Sequence, residues 1–183
     1  MTHQARHIVV VDTETNGLDP ELHEAVEVAW FDMATNESAS FIPYHNVIEV
    51  RARAESEALK ITGYEKRIAG RVPKADFDPW DKANPVRRLA QQLDGNTLAG
   101  SNPAFESWVL RKLFGRYGYE PSWHHRLLDL AAYAAGRRGR DIERDGLPGL
   151  DEVCADLAVP RRGEHTAEGD TWAAVCCFHE LRS

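Results

Sequence analysis

The sequence is short of several things, and each shortage excludes something. Its three cysteines, Cys154, Cys176 and Cys177, are too few and too poorly spaced for a disulfide framework or a thiolate metal site. Cys176 and Cys177 are adjacent and would bridge only with strain, so a reduced, intracellular and hence cytoplasmic setting is expected. No apolar run approaches the roughly 18 residues of a membrane span. The polar stretch from Met1 to His7 leads straight into an apolar strand, unlike a secretory leader. No membrane association is expected. Basic charge is short as well: 22 lysines and arginines against 29 acids leave a formal charge of −7. That argues against a protein that coats duplex nucleic acid with a basic face. It leaves room for an enzyme that handles a nucleic-acid end, where bound cations offset both the site's carboxylates and the phosphate.

What remains is an ordinary globular composition. The 183 residues are 43% hydrophobic and 28% charged, enough for a sizeable core. With no repeat, low-complexity segment or linker, the chain reads as a single domain spanning 1–183.

The first run to carry chemistry is His7-Ile8-Val9-Val10-Val11-Asp12-Thr13-Glu14-Thr15-Asn16-Gly17-Leu18. Its β-branched residues predict a buried strand. On an extended chain Asp12 and Glu14 share a face, about 7 Å apart along the strand. Acid pairs at this spacing recur in the chain, Asp19/Glu21 and Asp76/Asp78 among them, so spacing alone singles out nothing. The strand leading in does. Two acids at the end of an apolar strand repel unless a cation neutralises them, and a divalent metal is the candidate.

Taken in order, Glu24 to Met33 and Ser38 to Tyr44 read as a second and third strand, an antiparallel meander with the first. Glu27 has two readings there, an approach to the site or a surface acid on a strand face. Glu55 to Gly63 predicts a short helix, Arg71 to Pro85 a loop, Pro85 to Leu93 a helix and Thr97 to Gly100 a short strand. The following helix is expected to turn Phe105, Trp108, Val109, Lys112 and Leu113 to one side. Glu106 falls in its first turn, where the helix dipole alone favours an acid. His124 to Ala135 reads as a strand passing into a helix. Gly136 to Gly146 reads as an exposed loop whose four arginines are either solvated or guides for a polynucleotide. A helix from Asp151 to Leu157 buries Leu150, Val153, Cys154 and Leu157. The closing helix, Thr166 to Leu181, holds Asp170 among the small residues Gly169, Ala173 and Ala174. His165 and Asp170 would stand roughly 140° apart on one continuous helix, so they converge only if His165 lies in the loop entering it.

In combination these segments resemble the DEDDh branch of the DnaQ-like 3′–5′ exonucleases. Asp12-Thr13-Glu14-Thr15-Asn16-Gly17-Leu18 is similar to the first motif of that family. Ala99 through Glu106 is similar to the second, and His165 through Asp170 to the third. Leu147-Pro148-x-Leu150-x-x-Val153-Cys154 is similar to its usual lead-in. Glu106 stands where the family has aspartate and Ser101 where it has histidine; the longer side chain of Glu106 reaches about 1.3 Å further. The fit is loosest from Asn46 to Asn96.

The resemblance implies an α/β, ribonuclease-H-like fold, a mixed five-stranded sheet flanked by helices. It implies two divalent cations, Mg²⁺ or Mn²⁺, held by Asp12, Glu14, Glu106 and Asp170, with His165 as general base. Carboxylates suit such hard ions, and histidine in general titrates near pH 6.5, which suits a base at neutral pH. Thr15, Gly17, Leu18 and Asn102 are implied as substrate contacts. The implied reaction is hydrolysis at the 3′ end of single-stranded DNA. The alternatives are an exoribonuclease that trims RNA 3′ ends, or a non-catalytic or proofreading subunit beside a DNA polymerase. The sequence assigns no oligomeric state.

Overall fold

A computed structural model describes residues 5–19 and 21–182. The stretch read as a polar lead-in, Met1 to His7, therefore lies partly outside the described residues. Three strands come first: β1 (Ile8–Thr15), β2 (Ala25–Asp32) and β3 (Ser38–Phe41). Next come α1 (Val47–Arg53), α2 (Ser56–Ile61) and α3 (Tyr64–Arg67), followed by a single 3-10 turn at Ala69–Arg71. Then come α4 (Pro85–Leu93), β4 (Thr97–Gly100), α5 (Pro103–Arg116) and β5 (Leu128–Asp129). The last four are α6 (Leu130–Arg138), α7 (Ile142–Asp145), α8 (Leu150–Asp156) and α9 (Ala167–Glu180).

The sheet order is β3-β2-β1-β4-β5. β1 pairs antiparallel with β2 and β2 with β3, while β1–β4 and β4–β5 are parallel. This is the mixed five-stranded sheet of the ribonuclease-H-like fold. The strand period of two divides β1 between two cores. Val9 and Val11 face Leu98, α4 and α5, whereas Val10 faces Ala99, α6, α8 and α9. Asp12 and Glu14 share the parity of Val10, so both point toward the α9 side. Gly100 lets β4 close tightly on β1: a Cβ there would stand 2.7 Å from the carbonyl oxygen of Val11. That brings the start of α5 to the carboxyl end of β1.

Several expectations need correction. Ser38 to Tyr44 is a strand only as far as Phe41. After Asn46 the chain forms three short helices where one was expected, at Glu55 to Gly63; α1 and α3 pack through Val50 and Tyr64, with Ile68, against Val26. The expected loop Gly136 to Gly146 is largely helical, since α6 runs to Arg138 and α7 follows. Its arginines are not all open to a polynucleotide. Arg140 bonds Glu152 and two carbonyls, Arg144 bonds Asp145, and Arg138 bonds the Asp156 carbonyl. On α5 the buried stripe runs through Glu106, Val109, Leu110, Leu113 and Phe114, one position along from the expected face. Trp108 is 58% exposed. The expected face followed the aromatic residues, but the sheet selects the stripe that begins with Glu106.

Candidate functional site

The site is built at the carboxyl end of β1, where the parallel neighbour β4 hands the chain to α5 and where α9 crosses. Asp12, Glu14 and Asp170 each offer an oxygen to one place, with all three atoms within 4.8 Å of one another. Two come from one face of β1 and the third from the first turn of α9. Gly169 allows this approach, because a Cβ there would fall on the carbonyls of Arg162 and Gly163, which lie against the helix. Glu106 enters from α5. It is only 5% exposed, and its Oε2 has no hydrogen-bond partner among the described residues.

Four acids so placed resist ionising. Burial, then the charges of Glu106, Asp170 and Glu14, hold the Asp12 carboxyl well above the usual range, with Arg161 acting against them. Burial, Asp170 and Glu27 push Glu14 up to about 7, opposed by Arg67. Burial pushes Glu106 up to about 8; its own backbone N–H opposes this and Glu14 adds to it. Burial also raises Asp170, while Arg161 and His165 pull it back. This pattern is what a cation site looks like from the carboxylates' side: repulsion that a bound positive charge would relieve. The unpartnered Glu106 Oε2 fits the same donor set, all hard oxygens suited to Mg²⁺ or Mn²⁺.

The other residues singled out in the sequence fall as follows. His165 is in the turn before α9 rather than on the helix, with φ of 58° and an exposed side chain. Its charge reaches Asp170. Thr15 is buried and donates from Oγ1 to the Gly17 carbonyl at 2.7 Å. Gly17 packs on the ring of His23, where a Cβ would collide, while Leu18 stands 74% exposed. Asn102 occupies the N-cap position of α5 without capping it through its side chain, and it is exposed. Of the two readings of Glu27, the approach to the site is the one observed. It lies opposite Glu14 in the β1–β2 register, with its side chain 12% exposed and paired to Arg67.

Two arginines escaped the sequence reading. Arg161 places Nη2 2.9 Å from Asp170 Oδ1 and Nε 2.8 Å from Asp151 Oδ1. The Asp170 contact is not aligned as a hydrogen bond. Its position in Pro160-Arg161-Arg162-Gly163, just ahead of the third motif, was the available signal. Arg67 had none, since it meets Glu27 only through the fold. Beside the site, a groove of about 460 Å³ runs between α9 and the β2–β3 edge, lined by Ser40, Arg162, Glu168 and Trp172 among others. None of the four carboxylates lines it. Among the described residues, no helix is long and apolar enough to cross a membrane.

A family model described as exonuclease, of the RNase T type, matches residues 9–178. The chain superposes on E. coli exonuclease I solved with a dT13 oligonucleotide, at a TM-score of 0.69 and 17% identity, covering 97% of this chain and 41% of that one. A zinc-bound form of the E. coli exonuclease I complex with single-stranded DNA gives a TM-score of 0.70 at 18% identity, over 97% of this chain and 40% of that one. At these identities the likeness is one of fold, and the chain spans about two fifths of those proteins. A separate local match, 42% identical over 65 residues, is to a UDP-N-acetylmuramate–L-alanine ligase of Rhodopseudomonas palustris (strain TIE-1); it covers 36% of this chain and 14% of the ligase.

Proposed function

The chain belongs to the exonuclease family whose model spans residues 9–178, and from that premise we propose that it removes nucleotides from the 3′ end of single-stranded DNA by metal-dependent hydrolysis. The observation that carries the reading is the convergence of an oxygen from each of Asp12, Glu14 and Asp170 within 4.8 Å, with the buried Glu106 beside them, its Oε2 without a partner among the described residues. Asp12, Glu14 and Asp170 would hold one divalent cation, and Asp12 with Glu106 a second. Two such ions, Mg²⁺ or Mn²⁺, supply charge neutralisation at the phosphate under attack and at the departing 3′ oxygen.

The chain's own groups supply the rest. His165 takes a proton from the water that attacks phosphorus; the new P–O bond forms as the P–O3′ bond breaks, releasing a 5′-mononucleotide. Its place in the turn before α9 leaves the imidazole exposed at the mouth of the site, where a terminal phosphodiester can reach it. Leu18, projecting into solvent just past β1, offers an apolar face to the terminal base. Asn102, whose side chain is not used as a cap, is free to hydrogen-bond the substrate. Single-stranded DNA is the favoured substrate because the fold is shared with an exonuclease I captured on dT13. The chain's charge of −7 suits capture of an end better than coating of a duplex.

The test is a degradation ladder on 5′-labelled DNA and RNA oligomers of matched sequence, with Mg²⁺, with Mn²⁺ and with EDTA. We expect stepwise shortening of the DNA that EDTA stops. Preference for RNA would change the substrate and keep the chemistry. No 3′ shortening with either metal between pH 7 and 9 would sink the catalytic reading.

A further inference from the structure

Arg67 lies outside every motif, on α3, in the region where the likeness to the exonuclease pattern is loosest. Its guanidinium is nonetheless heavily used. Nε and Nη2 donate to the Thr62 carbonyl at 2.9 and 2.5 Å. Nη1 reaches both carboxylate oxygens of Glu27 at 3.2 Å, and Nη2 reaches Glu27 Oε2 at 3.3 Å. Nη2 also donates to the backbone carbonyl of His165 at 3.1 Å. Glu27 in turn accepts the N–H of Ala167, the first residue of α9, at 3.2 Å. One ion pair thus grips the chain on both sides of Thr166.

That turn needs holding. His165 is a non-glycine residue at φ 58°, a conformation that costs on the order of 1–2 kcal/mol. Its imidazole is exposed and makes no hydrogen bond to any described residue, so the main chain is what anchors the point from which the ring projects. Locally the main chain has the Thr166 N–H and Oγ1 on the Gly163 carbonyl, at 3.1 and 2.6 Å. The external anchors are Arg67 on the His165 carbonyl and Glu27 on the Ala167 N–H.

We propose that Arg67 is a positioning residue for the reaction: paired with Glu27, it fixes the backbone at His165 and so aims the imidazole at the carboxylate site. The inference rests on the reading of His165 as general base. Its planar fork of donors serves three acceptors at once, which the single ammonium of lysine does not reproduce.

The test combines Arg67→Lys, Arg67→Met and His165→Ala, singly and as Arg67/His165 doubles, in steady-state hydrolysis of a DNA oligomer with Mg²⁺. Each Arg67 variant should lower kcat by about 10- to 100-fold with KM changed less than about twofold. In the His165→Ala background the same Arg67 changes should cost less than about twofold, because no imidazole remains to be aimed. Amide exchange across residues 164–167 should quicken in both Arg67 variants while exchange in β1 does not. Arg67→Lys keeps the charge and the stem, so it reports even if Arg67→Met folds poorly. Unchanged kcat, a full loss repeated in the His165→Ala background, or unchanged exchange at 164–167 would each overturn the proposal. An inactive wild type, or a fully active His165→Ala, would instead overturn the general-base reading beneath it.

Discussion

Glu106→Gln should make the metal-free protein more stable, by a margin that grows as pH rises from about 5 to 8. Glu106 keeps its proton up to about 8, from an ordinary value of 4.5, chiefly because it is buried. Between those values the folded protein binds more protons than the unfolded chain, so stability falls as pH rises through that window. By pH 9, with the group ionised, the cost attributable to Glu106 reaches at most about 5 kcal/mol. Part of it is repulsion shared with Asp12, and glutamine keeps the shape while removing the charge. A recovered stability of roughly 2 kcal/mol would raise the melting temperature by about 4–8 °C for a chain of this size. The assay is thermal melting in EDTA from pH 5 to 9, wild type against Glu106→Gln. The curves should lie close together near pH 5, diverge progressively up to about pH 8 and run parallel above it, and added Mg²⁺ should narrow the gap by stabilising the wild type more. A variant less stable than wild type at pH 9, or a wild type with no loss between pH 5 and 9, would refute the reasoning.

Other outcomes follow from the same site. Asp12→Ala should abolish turnover and leave the EDTA-treated melting temperature equal or higher; a large drop would make Asp12 a structural residue. Glu106→Asp should retain or raise activity, measured as kcat on a DNA oligomer, and loss of activity would mean the site is built around the longer side chain. Protons compete with metal for Glu14, raised to about 7, so apparent Mg²⁺ affinity by calorimetry should tighten by up to about tenfold from pH 6 to 7. Affinity that is flat with pH would contradict the assigned ligands. His165→Ala should lower kcat by about 10²–10⁴-fold, with metal affinity nearly unchanged.

Much of the frame was legible because local signals and tertiary demands agree. β1 was written in its β-branched run. Pro85 and Gly100 sit where the backbone requires them, and α4 and β4 fall as the sequence predicts. Two failures have physical causes. On α5 the aromatic residues drew the expected face toward Phe105 and Trp108, yet what matters is the stripe presented to the sheet, and that stripe begins with Glu106. Burial, not dipole stabilisation, therefore dominates the surroundings of Glu106. α2 falls inside the expected Glu55 to Gly63, whereas α1 and α3 are short and held by contacts to Val26, which periodicity does not reveal. One local signal was there: Asn46 caps α1, its Oδ1 accepting from the Ile48 and Glu49 N–H groups while its Nδ2 donates to Glu49 Oε1. The Glu27–Arg67 pair spans 40 residues and two elements, and only the fold could reveal it.

The most direct measurement is release of the 3′-terminal nucleotide from single-stranded DNA under single-turnover conditions, comparing wild type with Asp12→Asn, with Mg²⁺ and with EDTA. We expect the wild type with Mg²⁺ to release 5′-mononucleotides one at a time, and EDTA or Asp12→Asn to stop it. Release that persists in Asp12→Asn, or none from wild type with Mg²⁺ or Mn²⁺, would contradict a hydrolytic site built on these carboxylates.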